Sequence, residues 1–496
     1  METNNIEEAR KFIASQKRNN LFRPKFHFTP TVGRICEPCA VTFIDKKFHL
    51  FYNINPFIEI FGPLYWGHAK TYNLYNFYEE PLSIAPDQIY DADGCRGGTA
   101  FVKDNKIFLL YTGVKDDYGE IIETQNIAFS KDYVNFTKSI ENPVIASLPQ
   151  SLNADNSIFR HPRIFEHGNV TYCVCASKIK DRPCLLLFKS NDLKEWVYVK
   201  KIISNKNIGT LWQFPCIFDT DDKRVCIMIS STDLNESKGF TQNGHATVYA
   251  FIDEKQFYGS YRDVMIKNFK IFDHGVDFSG PTIFKYQNSY ACIGLLNSWY
   301  SKSMYTELNL QYSGCSSLPR MLTIKDDSIY QMPMQELTGA VYKRSSLSYE
   351  IGPKETVLSD VTGTSMHLVL VFNVKKNTKY FFKIFKKGDN YCLLSFDSKT
   401  CMLTVDRTNA KYEFIDHHQN PNQLDIKTFK IENIKPGDEM ITDFYFDVTT
   451  IEMFINKGQY AASFLFFADK EDSDVTMSAT SKTSIRILKE AITAKI

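Results

Sequence analysis

The sequence predicts an all-β protein, a five-bladed β-propeller followed by a C-terminal β-sandwich. The first observation behind this is a recurring hairpin. "VTFIDKKFHLFYN" from Val41, "AFVKDNKIFLLYTG" from Ala100, "RIFEHGNVTYCVCAS" from Arg163, "CIFDTDDKRVCIMISS" from Cys216 and "TIFKYQNSYACIGLLNS" from Thr282 share one pattern. Each reads as strand, a turn of Asp, Asn, Gly or Lys, and strand. The intervals are 59, 63, 53 and 66 residues, the length that one four-stranded blade takes. The second observation is a change of pattern at about Glu355. Long alternating strands such as "YFFKIFKKGDNYCLLSFD" and "TIEMFINKGQYAASFLFF" follow it, and these predict two packed sheets.

Taken in order, residues 1–27 form an N-terminal segment in which 6–18 have the spacing of a short amphipathic helix. The propeller spans 28–340. After three of its hairpins "AKTYNLYNF", "FSKDYVNF" and "KSNDLKEW" each set an aromatic residue at the end of a polar turn. A linker is expected at 341–354, and the stretch "QMPMQELTGAVYKRSS" leaves helix and strand open. The sandwich covers 355–496. A chain of 496 residues is long enough for two such cores.

Composition narrows the classes of function. Basic and acidic residues nearly cancel, 58 against 57, without a long basic run, which argues against nucleic acid and anionic membranes as partners. A neutral small molecule or a protein partner is left. The N-terminus is charged throughout and no segment reaches eighteen apolar residues, so a cytoplasmic location is expected. Twelve cysteines lie without regular spacing, several in apolar runs such as Tyr172-Cys173-Val174-Cys175, as reduced buried thiols do. Nothing in the sequence calls for a cofactor.

In a propeller the innermost strand of each blade lines the axis, so like positions of successive blades converge. Just before four of the five hairpins stand Glu37-Pro38, His161-Pro162, Gln213-Phe214-Pro215 and Asp277-Phe278-Ser279-Gly280-Pro281, and Gly97-Gly98 stands at the fifth. Glu37, His161, Gln213 and Asp277 are therefore candidates for one cavity. The structural alternative is that each proline only opens a strand, where it is tolerated.

Across the propeller "FRPKFHFTP", "HLFYNINP", "YWGHAKT", "YDADGC", "NPVI", "FRHPRIF", "LWQFP", "DFSGP" and "SLPRML" occur in an order that resembles glycoside hydrolase family 32, with bacterial sucrose-6-phosphate hydrolases and invertases nearest in pattern. "DVTTIEMFINKG" resembles that family's sandwich. The resemblance implies a retaining β-fructosidase scaffold with an Asp nucleophile, a Glu acid/base and the Asp of an Arg-Asp-Pro motif on the fructose hydroxyls. It puts the nucleophile position on Glu37, the acid/base position on Gln213 and the transition-state stabiliser position on His161. It further implies sugar contacts at Asn53, Phe61, Arg96, Thr99, Arg160 and Asp277. The family's Trp-Met-Asn-Asp-Pro-Asn-Gly appears as Arg34-Ile35-Cys36-Glu37-Pro38-Cys39-Ala40, and its Phe/Trp-Ser-Gly-Ser as Arg96-Gly97-Gly98-Thr99.

All three catalytic positions are thus changed. Glu37 keeps a carboxylate but shifts it by a methylene, and misplacement by about 1 Å costs roughly a hundredfold in rate. Gln213 has no proton to give, and a lost general acid costs on the order of 10² to 10⁴. His161 replaces a fixed acceptor by a ring with protonated and neutral forms. Three readings stay open: an impaired hydrolase that binds a fructoside, a related sugar or a protein; a slow or altered β-fructosidase using Glu37 on sucrose, sucrose 6-phosphate or short fructans; and a metal site of Cys36, Cys39, His161 and Cys216. Against the last, residues three apart on a strand point to opposite faces, and no second CxxC exists.

Overall fold

The computed structural model describes residues 6–152, 154–204, 208–234, 244–259, 262–297, 304–325, 327–412, 425–469 and 472–492. Five antiparallel sheets form the blades. Their inner strands are Gly33–Ile44, Gly94–Lys103, Ala154–His167, Leu211–Asp219 and Phe278–Tyr286. Each of the five packs on the next, and the last returns to the first, which closes the ring. Blade 1 continues outward through Lys47–Asn55, Tyr65–Thr71 and Phe77–Ile84. The short strand Tyr312–Ser313 pairs in parallel with Gly33 and Arg34 on the inner side of this blade.

Local chemistry explains the repeat. Asp45-Lys46 and Asp104-Asn105 both take positive φ at the tips of the first two hairpins, the twist-matching geometry of two-residue turns. The three polar turns before aromatic residues are Asx turns. Asn73 accepts the N–H groups of Tyr75 and Asn76, Asp132 those of Val134 and Asn135, and Asp192 those of Lys194 and Glu195. A short polar side chain thus replaces a missing backbone acceptor in three consecutive blades.

The inner strands share one irregularity. Register breaks between Ile35 and Glu37, Arg96 and Gly98, Arg160 and Arg163, Gln213 and Cys216, and Ser279 and Thr282. These are β-bulges, which re-aim side chains and end regular pairing. In blades 3, 4 and 5 the residue before the proline is left-handed: His161 (φ 56°), Phe214 (φ 51°) and Gly280 (φ 53°). For His161 and Phe214 that conformation costs on the order of 1 kcal/mol or more, and such strain clusters at functional sites.

The C-terminal domain packs two six-stranded sheets around one apolar core. Its first strand is Val341–Ile351, paired along its length with Thr483–Ile492. The expected linker at 341–354 is therefore mostly an edge strand, and Gln335–Ala340 before it is a 3-10 helix. The strand reads VYKRSSLSYEI and exposes most of its polar residues, which masked its alternation. The N-terminal helix runs over Ile6–Ser15, shorter than expected, with buried Ala9 against blade 1 and Arg10 donating to the Leu82 carbonyl.

Propeller and sandwich meet at a charged seam. Buried Arg320 of blade 5 donates to Glu452, Asp273, Gln331 and Ser463. Glu452 also lies 2.8 Å from His27 Nε2, while Asp447 takes His27 Nδ1 at 2.9 Å and the N–H groups of Lys25 and Phe26. Burial disfavours the His27 cation, but the hydrogen bonds of Asp447 and Glu452 outweigh it and raise its pKa to about 9. Asp277 belongs here too. Its Oδ2 accepts from Arg407 Nη1 and from the Leu465 N–H, both at 2.8 Å. Asp277, expected at the sugar cavity, thus has one oxygen held by the sandwich domain, while its Oδ1 has no hydrogen-bond partner.

Candidate active site

Glu37 is 2 % exposed on the inner strand of blade 1. Its Oε1 is 3.4 Å from His161 Nδ1, and its Oε2 has no hydrogen-bond partner. The room for its long side chain comes from blade 2. A Cβ added at Gly97 would stand 1.4 Å from Glu37 Oε1, so the absent side chain of Gly97 is the space that the glutamate fills. The extra methylene at 37 and the missing side chain at 97 are complementary.

His161 is 5 % exposed and is set from behind. Its N–H donates to Thr112 Oγ1 at 3.1 Å, Thr112 donates to Gln125, and Gln125 donates to the Phe159 carbonyl. The imidazole lies 4.3 Å, centroid to centroid, from Phe214 of blade 4. Gly280 of blade 5 leaves space for that ring, since a Cβ there would meet Phe214 at 3.2 Å. Burial lowers the His161 pKa below 6.5; Glu37 opposes this, and Arg160 and Arg96 reinforce it. Burial thus favours the neutral ring. Both its nitrogens lack a well-aligned hydrogen bond.

Gln213 is 8 % exposed, opposite Ser230 in register and next to Phe214. Arg160 and Arg96 converge on Glu123 of blade 2. Arg160 Nε is 2.8 Å from Glu123 Oε2 and Arg96 Nε 3.4 Å from Oε1, while the Phe159 N–H also donates to Oε2. Arg163 is 4 % exposed and reaches across the axis from blade 3, donating to the Cys39 carbonyl of blade 1 and to Thr282 of blade 5. Arg34, Arg96 and Arg160 are half-buried, whereas Glu37, His161, Gln213 and Arg163 are all buried. The site is a cup with the first three arginines toward its opening.

The other expected contacts divide. Asn53 is fully buried and staples blades 1 and 2 by donating to the Tyr65 and Cys95 carbonyls, which leaves its Oδ1 unpaired. Thr99 is buried directly after the Arg96–Gly98 bulge. Phe61 is 63 % exposed in the segment between Asn55 and Tyr65, near exposed Ile58 and Ile60. The thiols suit a metal poorly. Burial pushes Cys36 up to about 11 and raises Cys39 and Cys216 as well, and the neutral thiol is a weak ligand. Cys216 Sγ faces the Pro281 carbonyl at 3.2 Å. Among the described residues no group of three His, Cys, Asp or Glu side chains is arranged to hold a metal ion.

Sequence reasoning missed Gly97, Phe214, Glu123 and Arg163 as parts of the site. The signal for two of them was in view: Gly97-Gly98 interrupts the X-Pro series, and Phe214 stands in the residue-before-proline place that His161 occupies in blade 3. Glu123 had none, since its role arises only where blades 2 and 3 meet.

Residues 27–333 match the Glycosyl hydrolases family 32 N-terminal domain, and residues 333–493 match the Glycosyl hydrolases family 32 C terminal domain. The chain belongs to glycosyl hydrolase family 32. Among curated family 32 relatives, the sucrose-6-phosphate hydrolase of Bacillus subtilis is 25 % identical over 478 residues, covering 94 % of this chain and 93 % of that protein. That of Zymomonas mobilis is 24 % identical over 492 residues, covering 94 % and 91 %. The fold agrees with a solved Bombyx mori GH32 beta-fructofuranosidase at TM-score 0.83 and 23 % identity over 98 % of both chains. It also agrees with a Lactobacillus gasseri sucrose-6-phosphate hydrolase at TM-score 0.81 and 18 % identity, covering 98 % and 96 %. This family 32 chain has the propeller and sandwich of those proteins, and its cup carries Glu37, His161 and Gln213.

Proposed function

We propose that this protein binds a fructoside or a closely related furanoside in the propeller cup and hydrolyses it inefficiently or not at all. The observation that carries this reading is Gln213. Retaining cleavage needs a carboxyl group to protonate the leaving oxygen while a second attacks the sugar. The amide at 213 donates hydrogen bonds but cannot transfer a proton. Glu123 does not substitute for it, because the Arg96 and Arg160 guanidinium groups, at 3.4 Å and 2.8 Å, favour its ionised form and the Phe159 N–H also holds Oε2. His161, neutral by burial, is a poor acid as well. Binding survives these changes, since amide, imidazole and guanidinium groups all hydrogen-bond hydroxyls. All twelve cysteines are free and no helix among the described residues is long and apolar enough to cross a membrane; the thiols support a reducing, cytoplasmic setting.

One contact favours a second reading, a slow β-fructosidase with Glu37 as nucleophile. His161 Nδ1 stands 3.4 Å from Glu37 Oε1, close enough for the two to form a proton-transfer pair if a bound sugar tightens the contact. Purified protein assayed on sucrose, sucrose 6-phosphate and short fructans, beside the triple variant Glu37→Asp, His161→Asp, Gln213→Glu, separates the two. The expected result is saturable binding of methyl β-fructofuranoside by the unmodified protein with turnover at least about 10²-fold below the restored variant. Unmodified protein that releases fructose as fast as the restored variant, with release abolished in Glu37→Gln, would replace the binding reading with the second one.

A further inference from the structure

Two hydroxyl groups do the same job at two blade junctions. The second strand of blade 2 is Lys106–Asp117, and that of blade 4 is Arg224–Leu234. Thr112 on the first accepts the His161 N–H of blade 3 at 3.1 Å, and Ser230 on the second accepts the Gly280 N–H of blade 5 at 3.0 Å. Both N–H groups belong to the left-handed residue before a proline, φ 56° at His161 and 53° at Gly280. Each hydroxyl also pairs with the residue facing it on the third strand of its own blade, Thr112 with Gln125 at 2.9 Å and Ser230 with Thr247 at 3.0 Å.

The two junctions differ in what they hold. Glycine takes the left-handed conformation at little cost, whereas a histidine there is strained and stays only where its surroundings over-determine it. Blade 2 supplies that surplus. The Thr112 hydroxyl, accepting from His161, donates to Gln125 Oε1, and this makes Gln125 Nε2 the donor to the Phe159 carbonyl at 2.5 Å. Gln125 is itself pinned through its main chain, its N–H on the Ile145 carbonyl and its carbonyl on the Val144 N–H, both at 2.9 Å. Beside it Glu123 Oε2 takes the Phe159 N–H and Arg160 Nε, both at 2.8 Å. Thr112 and Gln125 are fully buried, out of reach of a sugar.

Resting on the furanoside reading above, we infer that Thr112 and Gln125 are positioning residues of the cup. They grip the backbone on both sides of Arg160 and so hold the His161 imidazole beside Glu37 Oε1 and against Phe214. The polarity of the relay gives it its specificity: N–H to hydroxyl, hydroxyl to amide oxygen, amide nitrogen to carbonyl. Deleting one donor leaves a buried group unpaired and releases His161 from the left-handed region.

The test follows the imidazole itself. In the full chain labelled at histidine Cε1, the His161 resonance among those of the ten histidines is the one absent from His161→Gln. Thr112→Val, equal in size but without the hydroxyl, is expected to shift or broaden that resonance. It is also expected to weaken the calorimetric affinity for methyl β-fructofuranoside about tenfold, as loss of a residue that orients a binding side chain does. Gln125→Glu should do the same, because an oxygen then faces the Phe159 carbonyl, and it carries both readings should Thr112→Val not fold. Thr112→Ser keeps the relay and should return both readings toward those of the unmodified protein. A lower melting temperature in Thr112→Val and Gln125→Glu, with the His161 resonance and the affinity in place, would reduce the pair to a structural role and overturn the inference. So would a Thr112→Ser protein as impaired as Thr112→Val. If the unmodified protein binds no fructoside, the furanoside reading falls, and the His161 resonance alone decides whether Thr112 and Gln125 position the imidazole.

Discussion

Around Arg320 and His27, where propeller meets sandwich, the buried charges are matched, with Asp277 Oδ1 at the edge of the seam the exception; at the propeller axis several are not. The Arg320 guanidinium spends its three nitrogens on Glu452, Asp273, Gln331 and Ser463, and His27 sits between Asp447 and Glu452. At the axis Glu37 Oε2, both His161 nitrogens, Arg34 Nε and two nitrogens of Arg163 have no hydrogen-bond partner. Both regions are buried and strand-built. The difference lies in completeness: a closed network specifies a fold, and an open one is arranged for something that comes from outside.

The comparison is most severely tested at Arg320. Its replacement by Met leaves buried Asp273 without its cation and Glu452 with His27 alone, with an expected loss of about 3 to 5 kcal/mol read from the urea midpoint. A loss under about 1 kcal/mol would mean that the seam is not the closed network described.

The second effect is that of pH. Because the folded His27 pKa is raised to about 9 from 6.5, its stabilisation is complete below pH 6.5 and is lost as pH rises through 9. The contribution is on the order of 3 kcal/mol. Thermal scans from pH 6 to 10 should show the decline, and His27→Gln should flatten it.

Gly97→Ala acts on the open region. Its Cβ collides with Glu37 Oε1, and the expected cost is about 1 to 3 kcal/mol with loss of sugar binding. Adding Glu37→Asp should recover most of both, since the shorter acid withdraws from the new methyl. A double-mutant cycle with no coupling between 37 and 97 would break the size exchange inferred between these blades.

The smallest effect is expected from Glu37→Gln. No close partner is lost beyond the 3.4 Å contact to His161, so stability should stay within about 0.5 kcal/mol in the same urea assay. A large loss there would place Glu37 with the structural acids of the seam.

Sequence made the blade repeat legible because each blade uses two apolar runs joined by a tight turn, and the first three add an Asn or Asp that caps the next turn through its side chain. The prolines of four inner strands were legible, but not the bulges, which in blades 3, 4 and 5 enclose the proline and in blade 2 have none. Asp277 was not, because its partner Arg407 is 130 residues further on in another domain. The strand Val341–Ile351 was hidden by its exposed polar residues. The fit of Glu37 to Gly97 required the packing of two blades, in which an absent side chain was the informative one.

Arg163 has a consequence for the ring. By bonding from blade 3 to the Cys39 carbonyl of blade 1 and to Thr282 of blade 5, it acts as a crossbeam. One side chain thus ties the inner strands of three blades together, and a change at residue 163 would loosen blades 1, 3 and 5 at once.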